Sequence, residues 1–339
     1  MKNRWIVITT INSPTKAIGH ISGLCKDGWS AVVVGDTKTP KDWAAESIEF
    51  LSVAAQGEMF KEFSGMVPYR HYSRKNLGYL YAIAKGADLI LETDDDNLPY
   101  PSFGKDISPK VTGRLVGADG WVNVYKYFTD ALIWPRGLPL GSIHSSGDVL
   151  TRRTGAVCPV QQFLADADPD VDAIYRLIFK GPVDFDSDAE PVILSKGAWV
   201  PFNSQNTIFF KEAFPLLYLP CFVSFRMTDI WRSFVAARAL WVHGLNISFH
   251  ASTVRQERNE HDLMRDFADE VPGYLNNDRI SKVLSSAASV IESKGPSSIA
   301  GTARALWKSL ITEGLIPKEE ERVVDAWFSA VERLNGSGR

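Results

Sequence analysis

An apolar run, Leu89-Ile90-Leu91, leads into Glu92-Thr93-Asp94-Asp95-Asp96-Asn97, so that one strand delivers three consecutive aspartates to a single turn. Carboxylates a few ångströms apart repel by about 1 kcal/mol per pair even at the dielectric of water, and by more where water is scarce. Such a turn needs either a cation against it or solvent around it. Hard oxygen donors suit magnesium or manganese, which are usually held by one or two carboxylates together with the phosphates of a substrate. A solvated turn that caps the next segment accounts for the same string without any ligand.

The surrounding pattern is that of an α/β fold. Short β-branched runs predict strands at residues 5–9, 31–34 and 50–53, with a helix at 15–24 after the first of them. A further helix over 75–85 carries Leu77, Leu80, Tyr81 and Ala84 on one face and leads through Gly86 into the strand at 89–91. This alternation predicts a mainly parallel central sheet with crossover helices and with ligand groups at the carboxyl ends of the strands. Three polar segments fall at such ends: Thr9-Thr10-Ile11-Asn12, Gly35-Asp36-Thr37-Lys38 and the aspartates. A dinucleotide-binding Rossmann domain needs a glycine fingerprint after its first strand, and Thr-Thr-Ile-Asn-Ser-Pro stands there instead.

Composition narrows the partners. With 339 residues, 45% hydrophobic and 23% charged, the chain has an ordinary globular make-up, enough for one large domain or two unequal ones. A formal net charge of -3 without a basic cluster favours neither nucleic acid nor a membrane surface as partner. Cys25, Cys158 and Cys221 are isolated, which fits reduced thiols in a cytosolic compartment. No signal peptide is expected before the first strand, and the apolar stretch 214–225 is short and broken by Pro215 and Pro220, so no transmembrane helix is expected either. Residues 113–225 are irregular and suit long loops over one end of the sheet. After about Pro272 three helical stretches follow, with Ile280, Val283, Leu284, Ala287 and Ile291 on one face, then Ile299, Ala303, Leu306 and Leu310, then Val324, Trp327, Phe328 and Val331. The expected division is a main domain over 1–270 and a C-terminal helical extension over 271–339, packed on the main domain or serving as a homo-oligomer contact.

Several further groups can carry chemistry. Arg74, Lys75 and Asn76 open the helix before the acid turn, where a helix start and cationic side chains can both face phosphate. Thr228 and Asp229 open another helical pattern; they cap it, or Asp229 accepts a proton from an attacking hydroxyl. His250 ends a strand-like run, a position more often structural than metal-ligating. Asp166, Asp168, Asp170 and Asp172 surround Pro169, as a turn and helix cap or as partners of hydroxyl groups. Pro201-Phe202-Asn203-Ser204-Gln205-Asn206 is rich in neutral amides that suit hydroxyl recognition.

Seven segments in order resemble the STELLO glycosyltransferase family along roughly residues 4–265. They are Val33 to Pro40, Arg74-Lys75-Asn76-Leu77-Gly78-Tyr79, the Asp94 to Asp96 run, Trp134-Pro135-Arg136-Gly137, Asp168 to Ile174, Pro201 to Thr207, and Val223-Ser224-Phe225-Arg226 through Arg232. The Gly35 to Pro40 and Asp168 to Ala173 stretches are also similar to the reversibly glycosylated polypeptide family, which includes UDP-arabinopyranose mutases. The resemblance implies a GT-A fold, that is, a single Rossmann-like nucleotide-sugar-binding domain. It implies a nucleoside-diphosphate sugar donor carrying uridine, a manganese or magnesium ion at an Asp-x-Asp site, and a saccharide, glycolipid or protein acceptor. It further implies that Asp94, Asp96 and His250 hold the metal, with Asp95 in support and Arg74 adding positive charge at the diphosphate. Thr10, Asn12, Asp36 and Lys38 then line the base and ribose pocket, and Asn203 and Gln205 contact the donor sugar. Asp229 is the general base of an inverting transfer, or orients substrate in a retaining one. Trp134, Arg136, Asp170 and Asp172 belong to the acceptor side. The plant members of the family are Golgi membrane proteins linked to cellulose synthesis. No anchor is expected here, so a cytoplasmic chain, peripheral to a membrane-bound glycan assembly system, is expected instead. The helices after Pro272 are expected to lie outside the match. A nucleotide-sugar mutase, and a non-catalytic scaffold that keeps the fold, are the alternative readings.

Overall fold

The β-branched runs of the first hundred residues form strands in the computed structural model, which describes residues 3–257 and 262–336. In order they give β1 (Arg4–Thr10), α1 (Lys16–Lys26), β2 (Trp29–Gly35), β3 (Glu49–Leu51), α2 (Val53–Met59), α3 (Lys61–Ser64), α4 (Lys75–Ala84) and β4 (Leu89–Thr93). The middle of the chain adds β5 (Asn97–Pro99), β6 (Lys110–Gly117), β7 (Gly120–Trp121), β8 (Asp148–Val157), β9 (Val160–Asp166), α5 (Ala173–Ile178), β10 (Val192–Leu194), β11 (Ala198–Trp199) and β12 (Asn206–Phe210). Last come α6 (Thr228–Val242), β13 (Ile247–Gln256), α7 (Leu263–Lys294), α8 (Ile299–Thr312) and α9 (Glu320–Gly336).

Among the described residues, eleven strands share one sheet in the order β3-β2-β1-β4-β12-β9-β13-β10-β6-β8, with β5 paired to β13. The expected parallel arrangement holds from β3 to β4. Beyond β4 the sheet is mixed: β12 runs antiparallel to both β4 and β9, β13 is parallel to β9, and β10 is antiparallel to β13. A parallel pair needs a crossover of a dozen or more residues, commonly a helix. Between β4 and β12 the described residues offer a single α-helix, the short α5.

Alternation along β1 divides the core. Ile6 and Ile8 pack with Ile18 and Ile21 of α1 on one face, and Trp5 and Val7 pack with Leu77 and Leu80 of α4 on the other. Helix α4 lies so close to the sheet that a Cβ on Gly78 would sit 2.6 Å from Val7 and 2.7 Å from Val34. Register then sets the site: Thr10 pairs with Gly35, so the carboxyl ends of β1 and β2 finish side by side, with β4 on the other side of β1.

The terminal helices pack on the sheet domain. Ile280, Leu284, Leu306, Trp307, Leu310, Val324, Trp327 and Phe328 belong to the same buried cluster as α4. Trp327 Nε1 donates to the Pro215 carbonyl at 3.0 Å, and Glu320 accepts from the backbone of Cys221 and Phe222 at 2.8 Å each. Helix α7 begins at Leu263 and runs unbroken through residues 270 and 271. A chain cut after residue 270 is therefore expected to expose this core and lose cooperative folding, as read from soluble yield and near-ultraviolet circular dichroism; a soluble, cooperatively unfolding 1–270 fragment would show that the helices form a separate unit. No helix among the described residues is long and apolar enough to cross a membrane.

Candidate functional site

A cleft of about 580 Å³ opens at the carboxyl ends of β1, β2 and β4. Thr10 and Asn12 reach it from the end of β1, Asp36 and Lys38 from β2, and Asp94, Asp95 and Asp96 from β4. Arg74 lines it beside the start of α4, Asn203 and Gln205 from the turn before β12, and Asp229 from the first turn of α6.

The fold treats the three aspartates differently. Asp94 Oδ1 accepts from Tyr72 Oη at 2.7 Å and from Lys75 Nζ at 3.2 Å. Lys75 is fully buried and donates also to the Thr93 carbonyl at 2.8 Å and the Ser204 carbonyl at 3.2 Å. Asp95 Oδ2 accepts from Thr10 Oγ1 and from Asn12 Nδ2 at 3.2 Å. Burial raises the Asp95 carboxyl from its ordinary value, and these two hydrogen bonds act against that rise. Asp96 Oδ2 accepts from Gln256 Nε2 at 3.2 Å, while its Oδ1 is buried with no hydrogen-bond partner among the described residues. Burial first, then the charges of Asp94 and Asp95, push the Asp96 carboxyl up to about 7. Of the three, Asp96 is the acid with a buried oxygen left unpartnered among the described residues.

An orphaned carboxylate oxygen in an acidic turn fits a hard divalent cation. No three His, Cys, Asp or Glu side chains among the described residues form a ready-made metal cage. His250 does not join the site. Its ring stacks on Phe163 at 4.5 Å, its Nε2 lies 2.8 Å from Ser248 Oγ, and burial lowers it to about 4, so it is neutral. Along β13 the residue that reaches Asp96 is Gln256, at the strand's end, and the expected histidine ligand is corrected accordingly.

Arg74 is also placed differently from its expected role. Its Nη1 donates to the Val67 carbonyl at 3.1 Å, Nη2 bonds Gln56 Oε1, and the guanidinium lies 4.7 Å from the Tyr69 ring centroid. The cation that meets the acid turn is its neighbour Lys75.

On the opposite wall Arg136 bridges two carboxylates. It reaches Asp170 through Nε and Nη2 at 2.8 Å each, and Asp229 through Nη1 at 3.0 Å and Nη2 at 2.9 Å. Asp229 Oδ2 also accepts from the backbone and the hydroxyl of Ser204, both at 3.2 Å. Burial alone would raise the Asp229 carboxyl, but the Arg136 charge and hydrogen bonds, helped by Arg232 and Arg226, hold it down at about 2. With both oxygens occupied, Asp229 has little tendency to take a proton at neutral pH. Trp134 and Asp172 do not line the cleft: Trp134 Nε1 donates to Asp172 Oδ2 at 2.7 Å, and Asp172 Oδ1 caps α5 by accepting from Tyr175 N at 2.8 Å.

Sequence reasoning missed Tyr72, Ser204 and Gln256. Ser204 Oγ lies 2.7 Å from Tyr72 Oη, which links the acid turn to Asp229 across the cleft floor. Tyr72 stands three residues before Lys75, a spacing that puts both on one side of a helical turn; Gln256 carried no local signal.

Strand-end loops, an acid turn and an arginine-held carboxylate pair surround one cleft of an α/β domain. Comparison places it more closely. The family model described as STELLO glycosyltransferases matches residues 226–336. "Probable glycosyltransferase STELLO2" of Arabidopsis thaliana is 33% identical over 306 residues, covering 83% of this chain and 39% of that protein. "Probable glycosyltransferase STELLO1" of the same plant is 30% identical over 305 residues, covering 83% and 38%. The chain belongs to the STELLO glycosyltransferase family, and it spans about two fifths of the length of these curated relatives. The family match runs through the whole of α7, α8 and α9, which corrects the expectation that the terminal helices lie outside it. Two solved structures align distantly: "Crystal Structure of a Mycobacterial Protein" (TM-score 0.43, 12% identity, 81% of this chain and 74% of that one) and "Crystal structure of M. tuberculosis glucosyl-3-phosphoglycerate synthase" (TM-score 0.41, 11% identity, 88% and 82%).

Proposed function

We propose that this chain is a metal-dependent glycosyltransferase that moves a sugar from a uridine-diphosphate sugar to a hydroxyl of a saccharide, glycolipid or protein. The observation that carries this reading is the partnerless, buried Oδ1 of Asp96 at the strand ends, in a cleft walled by amides and hydroxyls. Asp96 would hold manganese or magnesium together with the donor's phosphates, and the ion would neutralise charge on the departing diphosphate. Asp94, already paired with Lys75 and Tyr72, supports the turn from the side. Thr10 and Asn12 fix Asp95 and lie with Asp36 and Lys38 on the nucleotide side of the cleft. Asn203 and Gln205 face the donor sugar from the turn before β12. Asp229 orients Ser204 and Arg136 rather than serving as a base, because its proton affinity is too low for that task. The departing phosphate is then the basic group at hand for the acceptor's proton.

A thermal-shift screen of nucleotide sugars with and without manganese tests the reading. A ligand at about 100 times its dissociation constant adds about 2.7 kcal/mol of stability. A metal-dependent rise with a uridine-linked donor, lost in Asp96→Ala, is the expected outcome. No metal-dependent shift with any donor overturns it. Analysis of the nucleotide-sugar pool after incubation separates transfer or hydrolysis from isomerisation of the donor by a mutase.

A further inference from the structure

Gln256 ends β13 in the wall of the cleft, far in sequence from the acid turn it touches. Its Nε2 donates to Asp96 Oδ2 at 3.2 Å, and its Oε1 accepts from Gln205 Nε2 at 2.7 Å. Because the amide oxygen is taken by Gln205, the amide nitrogen is the end that must face the carboxylate. Gln205 is itself placed by its backbone N–H, which donates to Asn203 Oδ1 at 2.9 Å. The chain Asn203, Gln205, Gln256, Asp96 thus runs from the turn before β12 to an aspartate whose other oxygen is buried. It engages Oδ2 and leaves Oδ1 without a partner among the described residues.

We propose that Gln256 is the positioning residue of the cation site: it holds Oδ2 of Asp96 so that Oδ1 alone meets the metal, and Gln205 acts on the metal through Gln256. This rests on the metal-diphosphate reading given above. A charge-bearing carboxylate that is free to rotate can shield its own second oxygen or turn towards other donors. One gripped by a fixed amide presents a single oxygen at a set angle. Hydrogen-bond partners of metal ligands orient them in this way, and their loss usually costs 10–100-fold in metal affinity.

The test is manganese uptake, followed by the electron paramagnetic resonance signal of the free ion, with and without uridine diphosphate. Gln256→Met keeps the side chain's length and removes both amide atoms. It is expected to weaken manganese binding by about 10–100-fold. Gln205→Met is expected to weaken it as well, although Gln205 does not touch Asp96, and the double variant should be no weaker than the worse single one, since the two residues act in series. His250→Ala should leave uptake unchanged. Unfolding midpoints of the metal-free variants, expected to match that of the wild type, separate loss of positioning from loss of fold. Wild-type affinity in Gln256→Met, or strictly additive losses in the double variant, overturns the proposal alone. A wild-type chain that takes up no manganese under either condition overturns the metal reading, and this inference with it.

Discussion

Replacing Glu92 by Ala is expected to cost about 3–5 kcal/mol of stability, the penalty for leaving a buried charge without its partner. Glu92 is fully buried in β4, and Arg232 grips it through Nη2 at 2.6 Å and Nη1 at 2.9 Å. The guanidinium lies 5.7 Å from the Phe202 ring and 5.1 Å from the Phe209 ring, so without Glu92 its charge faces aromatic walls. Arg232→Ala should cost a similar amount for the mirror reason. The paired change Glu92→Leu with Arg232→Met should recover most of the loss, because a buried ion pair and a well-packed apolar pair of like volume differ little in net stability. Urea unfolding of the two singles and the double closes the cycle. A loss below about 1 kcal/mol in either single would show that the pair is not what holds these elements together. The consequence reaches the site, since Glu92 lies two residues before Asp94 and Arg232 three after Asp229. The pair locks the strand that carries the acid turn to the helix that carries the opposing carboxylate.

Much of this arrangement can be read from local pattern. Alternation of Trp5, Ile6, Val7 and Ile8 onto two buried faces specifies β1 as an inner strand covered on both sides, and the polar segments that follow β1, β2 and β4 fall where such a sheet presents ligand groups. The helix faces of the last seventy residues are equally plain, because a 3.6-residue period survives without knowledge of the partner surface. What local pattern does not carry is pairing between distant segments. Arg136 and Asp170 come from two separate loops and Asp229 from the first turn of α6, and nothing in any one of them announces that a single guanidinium holds both acids. The antiparallel entry of β12 is likewise a property of the sheet as a whole. Pro272 misled in a different way. Proline favours the first turn of a helix, yet α7 starts earlier, where Asp262 accepts from Met264 N and Arg265 N and supplies the stronger start signal. His250 and Gln256 show the same limit at one strand: the family resemblance, not the residue itself, offered the histidine as ligand, and position along β13 gave the contact to the glutamine.

Arg136→Met is expected to have the largest effect on activity, with a pH signature that separates orientation from base catalysis. The change removes the four hydrogen bonds to the two carboxylates, together with the one to the Arg226 carbonyl, and leaves Asp170 and Asp229 facing each other without a shared cation. A fall in kcat of about 10²-fold or more is expected from loss of alignment. Arg136→Lys should rescue little of it, since a point charge cannot serve two carboxylates in the bidentate manner of a guanidinium. In the wild type the Asp229 carboxyl is held at about 2, below its unfolded value. Its contribution to stability is therefore fully present above the ordinary carboxylate range and is lost as pH falls towards 2. Without Arg136 the burial that raises this carboxyl acts unopposed by its strongest partner, so the folded state holds the proton more tightly than the unfolded one. Stability from this group then declines as pH rises. The gap in unfolding free energy between wild type and Arg136→Met should thus widen from pH 4 to pH 7, reaching about 3–5 kcal/mol at the upper end. For the same reason the wild-type rate should show no limb between pH 5 and 8 that disappears in Asp229→Asn. Such a limb would mean that Asp229 takes up a proton during turnover, and would restore it as the general base.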